Sequence, residues 1–348
     1  MVTLADVARR AGVSVATASR VINDTPYTIA PELRERVLAA VRELRYVPNA
    51  HARALARSSS GVIGVIVHDV SDPYFAEVTR GLQRVATAHG RLVTICNSYR
   101  VPRRELDYLR LLRAQRVDGL VYTGSGYLDE TFNRALEEHL RALVDDGARV
   151  VLLARHELAE PDAVDALLPD NVGGSKALGA FLAEAGHREV GVIAGPPELS
   201  TTVDRLRGLR DGLATGGVAL PDSRVVHGDF TRGAGADGVR ALLRDGAPLS
   251  AVVALNDAMA VGALRELRRA GLRVPDDLSL TGFGDMPIAR DVTPALTTVR
   301  LPLDDMGARA MALLLEERPA ATDGRPRPAR REAVPATLVV RDSVRRLR

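Results

Sequence analysis

The sequence has little of what disulfide-stabilised, metal-binding or membrane proteins need. Cys96 is the only cysteine among 348 residues, tryptophan is absent, and the seven histidines show no metal-ligand spacing with a carboxylate or cysteine. A single cysteine excludes an internal disulfide and argues against a cysteine-rich metal site. No apolar run approaches a membrane span, and the N-terminus lacks the basic-then-apolar layout of a secretory signal. We therefore expect a cytoplasmic protein with no cofactor, no metal and no membrane partner.

Positive charge is concentrated near the N-terminus. Residues 1–60 contain nine arginines and five acidic residues, a formal charge of +4, whereas the whole chain carries +3. The remaining residues are therefore close to neutral. A basic N-terminal segment on a neutral body suits contacts to nucleic-acid phosphates and predicts an affinity that falls with salt.

The stretch TLADVARRAGVSVATASRVIN at 3–23 predicts two short helices separated by a tight turn. Thr3 can cap the first helix, Gly12 can end it, and Ser14 can cap the second. Apolar residues recur on one face of each helix, so the two helices can pack together. The pattern is typical of a helix-turn-helix, although ordinary helical hairpins also show it.

The outward face of the second helix carries short, mostly uncharged side chains, which let a helix enter the DNA major groove. A third helix, predicted over 30–46, adds enough apolar residues to complete a three-helix core. Pro48 ends that helix, and Asn49 can cap a further one. This last helix is too short to be stable alone in water, so it needs a partner in order to fold.

These segments resemble the headpiece and hinge of the lactose-repressor (LacI/GalR) family of transcription regulators. The resemblance rests on 3–23, on RERV at 34–37, on Tyr46-Val47-Pro48-Asn49 and on Ala52-Arg53-x-Leu55. It implies a hinge helix that folds only on operator DNA and a Leu55 that wedges between base steps, with a linker leucine as the alternative. The DNA contacts that it implies are Thr3, Ser14, Val15, Ala16, Thr17, Ser19, Arg20, Asn23, Tyr27, Asn49, Ala52, Arg53 and Leu55.

After residue 61 apolar strands alternate with amphipathic helices, which predicts parallel sheets with helices on both faces. Strands are predicted at 62–67, 92–96, 119–122, 150–153, 190–194, 224–227, 251–254 and 278–281. Helices are predicted at 74–89, 103–115, 131–146, 172–185, 203–215, 236–244 and 257–270. Two Rossmann-like lobes result, and the cleft beyond the carboxyl ends of their strands is the expected ligand site.

Within the same family resemblance, the body is similar to periplasmic sugar-binding proteins, through pieces such as DPYFAE at 72–77 and TPALTTV at 293–299. The resemblance implies chain crossings between the lobes near 157–162, 286–291 and 319–332. The expected fold is an all-α helix-turn-helix headpiece, a hinge, and an α/β periplasmic-binding-protein-like body of two Rossmann-like lobes. We assign 1–46 to the headpiece, 47–60 to the hinge helix and linker, 61–158 with 290–320 to the N-terminal lobe, and 159–289 with 330–342 to the C-terminal lobe.

The resemblance also assigns effector-binding residues. Tyr74, Phe75 and Phe230 match positions that stack on an effector ring, with core packing as the alternative for the first two. Arg205 matches a position that clamps hydroxyls or a carboxylate with its planar fork. Asn256, just past a strand end, can read a hydroxyl because it both donates and accepts.

One departure from the family concerns a sugar-binding aspartate. Gly284 stands where the family usually has that residue, and Asp285, one residue on, is the candidate substitute. Arg155 adds a positive charge that suits an acidic effector, unless it is a surface residue. We therefore expect an effector that is sugar-like or an acidic metabolite.

Two other functions fit parts of the sequence. Gly233-Ala234-Gly235-Ala236-Asp237-Gly238 satisfies the G-x-G-x-x-G pattern of dinucleotide-binding enzymes, with Asp257 about twenty residues further on. Against an enzyme, the motif lies late in the chain, and Asp229-Phe230-Thr231 lies between it and the preceding predicted strand, where a tight turn is needed. A solute-binding protein of a transport system is the other alternative, which the missing signal and the headpiece disfavour.

The sequence therefore predicts a DNA-binding transcriptional regulator, usually a repressor in this family, rather than an enzyme. Two headpieces related by a two-fold axis would read a palindromic operator. A small-molecule effector would act by favouring one setting of the two lobes. No leucine heptads follow the last predicted strand, so the expected assembly is a homodimer.

Overall fold

The computed structural model describes residues 2–23, 29–47, 60–160, 164–244, 246–316 and 329–347. The chain divides into two compact units, Met1–Gly61 and Val62–Arg348. Each unit contains a hydrophobic core of its own.

The described residues of the N-terminal unit form three helices: α1 (Leu4–Ala11), α2 (Val15–Ile22) and α3 (Pro31–Glu43). All three contribute apolar side chains to one core, made of Val7, Ala8, Ala11, Ala18, Val21, Val37 and Ala40. The predicted helix-turn-helix and the third helix are confirmed, although α3 ends three residues before the predicted limit of 30–46.

Side-chain caps and one glycine set the limits of α1 and α2. Thr3 and Asp6 form a capping box, in which Thr3 N donates to Asp6 Oδ2 at 3.0 Å and Asp6 N donates to Thr3 Oγ1 at 3.3 Å. Gly12 follows α1 at a φ of 62°, a left-handed conformation that favours glycine. Ser14 caps α2 by accepting a hydrogen bond from Thr17 N at 3.1 Å. The caps predicted from the sequence are therefore present.

The first lobe of the body is built on a six-stranded parallel sheet in the order β11-β5-β4-β3-β1-β2. Its strands are β1 (Val62–Val67), β2 (Leu92–Asn97), β3 (Gly119–Thr123), β4 (Arg149–Leu153), β5 (Asp165–Pro169) and β11 (Arg331–Val334). The associated helices are α4 (Pro73–Ala88), α5 (Pro102–Ala114), α6 (Glu130–Asp145) and α12 (Leu303–Leu315). β1, β3 and β4 are almost entirely buried, as expected for strands covered on both faces by helices.

The second lobe is built on a four-stranded parallel sheet in the order β7-β6-β8-β9. Its strands are β6 (Val190–Ala194), β7 (Val225–His227), β8 (Ala251–Ala254) and β9 (Ser279–Thr281). Its helices are α7 (Asn171–Glu184), α8 (Ser200–Ala214), α9 (Arg232–Arg244), α10 (Asp257–Arg269) and α11 (Ile288–Asp291). β10 (Thr298–Arg300) and β12 (Thr337–Val339) form a separate antiparallel pair. The predicted fold class is confirmed.

Strand pairing corrects the predicted lobe boundaries. β5 pairs in parallel with β4 and β11, so both β5 and β11 belong to the first lobe, whereas the prediction gave 159–289 and 330–342 to the second. Isolated bridges tie β10 to the second lobe, although 290–320 was assigned to the first. The chain therefore passes to the second lobe after β5, returns before α12 and leaves again between β11 and β12. The prediction failed here because these strands are placed by pairing with segments far away in the sequence, such as Arg331 with Ala166, and local pattern does not record such pairing.

The glycines of the dinucleotide-type motif, Gly233, Gly235 and Gly238, lie inside α9 rather than in a loop. A Cβ at Gly235 would lie 2.0 Å from the carbonyl oxygen of Met259, and one at Gly238 would lie 2.7 Å from Ile193 Cγ2. These two glycines therefore permit close packing of α9 against α10 and β6. The motif does not form the phosphate-binding turn that a dinucleotide enzyme requires.

Within the described ranges, no helix has the length and apolar character needed to cross a membrane. That part of the chain also brings together no group of three or more His, Cys, Asp or Glu side chains that could hold a metal ion.

Candidate functional site

The outward face of α2 presents small side chains. Ser14, Val15, Ala16 and Arg20 are exposed, while Thr17, Ser19 and Asn23 are partly buried. Val15 is 49% exposed even though it is apolar and stands at the N-terminus of the helix.

Four polar side chains on α2 and at its two caps are held by local hydrogen bonds. The hydroxyls of Ser14 and Thr17 lie 2.9 Å apart, and Asn23 Nδ2 donates to Ser19 Oγ at 3.2 Å. Thr3, predicted to contact DNA, is exposed and belongs to the capping box of α1. The predicted contacts Tyr27, Asn49, Ala52, Arg53 and Leu55 lie outside the described residues, as does most of the predicted hinge helix.

A cavity lies between the two lobes of the body, beyond the carboxyl ends of their strands, where the sequence predicted a ligand site. The cavity volume is about 60 Å³, which is room for a few water molecules. The lining residues are His68, Asp72, Tyr74, Phe75, Arg100, Gly124, Ser125, Ala154, Pro169, Asn171, Thr201, Arg205, Phe230, Asn256, Phe283 and Met286.

Aromatic rings form much of the cavity wall. Tyr74 and Phe75, in the first turn of α4, meet edge to face with their centroids 5.0 Å apart. The Phe75 ring also lies 5.4 Å from the His68 ring. Phe230 and Phe283 line the cavity from the second lobe. Tyr74, Phe75 and Phe230 were predicted to share a site, and the structure places all three on one cavity.

Arg205 of α8 is buried and its guanidinium is fixed on several sides. Nε donates to Asn171 Oδ1 at 2.9 Å, Nη1 donates to the carbonyl oxygen of Leu255 at 2.5 Å, and the guanidinium carbon lies 3.7 Å from the centroid of the Phe283 ring. Among the described residues no carboxylate lies within 4.0 Å of it. Burial lowers the pKa of Arg205 to about 10, so it remains charged at neutral pH.

Asn256 lines the cavity, but its side chain is already engaged in hydrogen bonds within the protein. It caps α10 by accepting a hydrogen bond from Met259 N at 2.7 Å, and its amide donates to the carbonyl oxygen of Phe230 at 3.0 Å. The next residue, Asp257, accepts hydrogen bonds from Thr298 Oγ1 at 2.6 Å and from Met286 N at 2.7 Å. Burial raises the pKa of Asp257 to about 6.

Arg155 and Asp285, predicted to bind an effector, do not line the cavity. Arg155 donates from Nε and Nη2 to the Asp204 carboxylate at 2.9 and 3.1 Å. Asp285 accepts from Arg300 Nε at 2.6 Å and from Arg341 Nη2 at 2.5 Å. Both assignments are corrected, because ion pairs with residues distant in sequence hold these side chains.

Several lining residues were missed by sequence reasoning, Arg100 above all. It follows β2 in a turn where both Tyr99 and Arg100 are left-handed, at φ values of 54° and 57°. This turn lies at the carboxyl end of a strand, and that position is the signal from which the residue could have been found. His68, after β1, was also missed. Burial lowers the pKa of His68 to about 3, so this imidazole is neutral at pH 7.

A buried hydrogen-bonded cluster lies beside the cavity in the first lobe. Glu105 Oε1 accepts from Ser98 Oγ at 2.9 Å and from the Tyr127 hydroxyl at 3.2 Å, and the Tyr122 hydroxyl donates to the other carboxylate oxygen. Burial raises the pKa of Glu105. His68 Nε2 lies 3.6 Å from the same carboxylate, so this cluster supports one wall of the cavity.

Comparison with known proteins identifies both units. Residues 3–49 match the family model "Bacterial regulatory proteins, lacI family", and residues 180–344 match "Periplasmic binding protein-like domain". The chain is 35% identical over 342 residues to the HTH-type transcriptional repressor PurR of Escherichia coli, which covers 96% of this chain and 97% of that protein. PurR of Klebsiella pneumoniae is 35% identical over 318 residues, 91% of this chain and 90% of that protein.

The chain belongs to the LacI family. Solved structures of the family extend the similarity to almost the whole fold. The lac repressor dimer bound to operator and the anti-inducer ONPF superposes with a TM-score of 0.84 at 26% identity, covering 99% of both chains. The transcriptional regulator CelR in complex with cellobiose gives a TM-score of 0.71 at 30% identity, covering 99% of this chain and 100% of that one.

As a LacI-family protein, the chain is a DNA-binding transcriptional repressor and not an enzyme. Its helix-turn-helix is the α1–α2 pair, and its two-lobed body is the ligand-binding part of the fold.

Proposed function

We propose that this repressor binds a palindromic operator as a homodimer, reading base edges with the N-terminal half of α2. The observation that carries the proposal is the surface of α2, where Ser14, Val15 and Ala16 expose only small groups beside Arg20. Small side chains at a helix N-terminus allow close approach to the major groove, where methyl groups meet thymine and an arginine reaches acceptors or phosphates. The resemblance to the lac repressor dimer bound to operator supports this geometry.

The proposal includes control by a small molecule bound in the cavity between the lobes. The effector is a sugar derivative or an acidic metabolite, a class supported by the CelR complex with cellobiose and by the aromatic cavity wall. Because the cavity is lined by both lobes, a ligand there favours one of their relative settings, and its differential affinity for the two settings is the coupling energy.

The sequence-based roles of Leu55 as a base-step wedge and of 47–60 as a hinge remain part of the proposal. A protein acting in this way works on the nucleoid in the cytoplasm, bound to operator DNA.

Changing Val15 to aspartate tests the DNA-binding surface. Val15→Asp places a negative charge against the phosphates and base edges, while an acidic residue in the first turn of α2 is favourable for the helix itself. We expect a loss of operator affinity of roughly a thousandfold, down to the non-specific level. The measurement is fluorescence anisotropy on duplexes selected from a random library, with circular dichroism as the check on folding.

The matched control is Leu111→Asp, which makes the same change at an exposed apolar residue of α5, where the side chain is 58% exposed. It should leave operator affinity unchanged. If both variants keep wild-type affinity, the assignment of α2 as the reading helix is wrong.

A further inference from the structure

The side chains that line the cavity carry more positive than negative charge. Arg100 and Arg205 contribute two guanidinium groups, whereas Asp72 is the one carboxylate among the lining residues. The Asp72 carboxylate is partly engaged as the cap of α4, where it accepts from Tyr74 N at 3.0 Å. His68 adds no charge at neutral pH, because burial lowers its pKa to about 3.

The Arg100 guanidinium lies over an aromatic ring at the cavity, and among the described residues no carboxylate forms an ion pair with it. Its guanidinium carbon lies 5.4 Å from the centroid of Phe230, a cation–π distance. Its Nε is buried and has no hydrogen-bond partner in the described part of the chain. A buried donor without a partner is costly, so a ligand that accepts from it recovers that free energy.

The carboxylates that could read sugar hydroxyls are already engaged. Asp257 is held by Thr298 and by the backbone of Met286, and Asp285 is held by Arg300 and Arg341. Among the residues that do line the cavity, Asn256 Oδ1 accepts from Met259 N as a helix cap and Asn171 Oδ1 accepts from Arg205 Nε, so both amide oxygens are already engaged. A donor-rich site favours a ligand with acceptors, above all an anion.

We propose that the effector is a small organic anion whose acidic group is balanced by Arg100 and Arg205 and whose ring packs against Phe230. This assignment rests on the proposed function, because it names the chemical class of the effector for the same cavity. The acidic group is a carboxylate or a phosphate, and the ring is a carbohydrate or an aromatic ring, since both offer an apolar face to an aromatic side chain. Burial of Arg205 in this cavity is then compensated by the charge of the ligand.

Matched pairs of acids and neutral analogues test the charge directly on the wild-type protein. The pairs are glucuronate with glucose, glucose 6-phosphate with glucose, and phenylacetate with phenylacetamide. In at least one pair the acid should bind roughly tenfold or more tightly than its neutral partner, measured by isothermal titration calorimetry. The pair that shows the preference identifies the acidic group and the ring.

Three arginine variants then test the role of Arg100. Arg100→Gln removes the charge from the cavity and should abolish the preference for the acid. Arg104→Gln, the matched control, removes an exposed charge of α5 that lies 5.7 Å from the exposed Tyr99 ring, and it should keep the preference. Arg100→Lys, which keeps the charge but not the planar fork, should retain part of it.

Each outcome is decisive. Equal affinity within every pair, or no binding by any acid, overturns the anionic class, and an unchanged preference in Arg100→Gln overturns the role of Arg100. If the acid binds in an Arg100-dependent way but does not alter operator affinity, the anion site stands and the effector control proposed above fails.

Discussion

The structural role of Asp285 follows from the arginine side chains around it. Its carboxylate is 1% exposed and lies among Arg290, Arg300 and Arg341, the nearest at 2.5 Å. Charge-assisted hydrogen bonds of this kind hold a carboxylate firmly, and breaking one side of a buried pair leaves charge without compensation. The position beside Gly284 therefore carries a structural ion cluster rather than a ligand contact.

Replacing Asp285 by asparagine should destabilise the body. Asp285→Asn leaves three arginines without their counter-charge, so we expect a loss of about 2–3 kcal/mol in the free energy of unfolding. Urea denaturation followed by circular dichroism measures it. Asp291→Asn, which removes an exposed carboxylate at the end of α11, is the control and should cost much less.

The same cluster predicts a dependence on pH. Burial raises the pKa of Asp285, but hydrogen bonds from Arg300 and Arg341 outweigh burial and leave the pKa below its ordinary value of 3.8. A carboxyl group whose pKa is lower in the folded state stabilises the protein above its unfolded pKa, and that contribution is lost as the pH falls through the folded pKa. The difference between wild type and Asp285→Asn should therefore be full at pH 7 and shrink below about pH 4. A difference that is independent of pH would contradict this account.

The helices α1 and α2 have eight residues each, too few to be stable alone. Their stability comes from the shared core, from the caps at Thr3 and Ser14, and from a contact at the turn between them. Arg36 of α3 donates from Nη2 to the carbonyl oxygens of Ala11 and Gly12, the second at 3.2 Å. This contact satisfies carbonyl groups that a helix end leaves without partners.

Gly12→Ala should weaken the N-terminal unit for two reasons. A left-handed conformation costs a non-glycine residue about 1–2 kcal/mol, and the new Cβ would lie 2.5 Å from Arg36 Nη2 and displace it. Loss of those hydrogen bonds adds roughly 1 kcal/mol. Amide hydrogen exchange in α1–α3 should show reduced protection, and operator affinity should fall with it.

Gly90→Ala provides the matched control, because Gly90 has a φ of 63° and no atom within 4 Å of an added Cβ. It should cost only the conformational penalty, and it lies in the body. If Gly12→Ala destabilises its unit no more than Gly90→Ala destabilises the body, the Arg36 contact contributes nothing.

At the scale of the whole molecule, each lobe is assembled from separated parts of the chain. β11 completes the first sheet from more than 150 residues beyond β5, and α12 packs on the same sheet. The chain passes between the two lobes several times, so a change in the position of one lobe at the cavity moves several separated segments together. Under the function proposed above, a ligand in the cavity would act by favouring one of two settings of the lobes.

A dimer can bind both half-sites of a palindromic operator only when they are separated by one particular spacing. Inserting ~5 base pairs at the centre of the operator rotates one half-site by about half a helical turn. We expect operator affinity to fall toward the non-specific level, roughly a hundredfold or more, in anisotropy titrations. The same insertion placed outside one half-site is the control and should leave affinity unchanged. Equal affinity for the two duplexes would show that one headpiece suffices and would remove the palindrome from the proposal.

Local pattern by itself determined much of this protein. Helical periodicity and caps predicted α1 and α2, because a capping side chain and the amides it serves lie within three residues of each other. Strand and helix alternation predicted the two lobes. The family resemblance, rather than local pattern, assigned Tyr74, Phe75, Phe230 and Asn256 to the effector site, and all four line the cavity. Arg205, assigned through the family resemblance, also lines it.

Tertiary structure alone decided the rest. The Arg155–Asp204 pair joins residues 49 apart in sequence, the Arg341–Asp285 pair joins residues 56 apart, and β11 meets β5 across 165 positions. Such contacts depend on where the backbone brings distant segments together, and no local spacing records them. For this reason only the folded structure showed the lobe boundaries and the ion pairs that hold Arg155 and Asp285 away from the cavity.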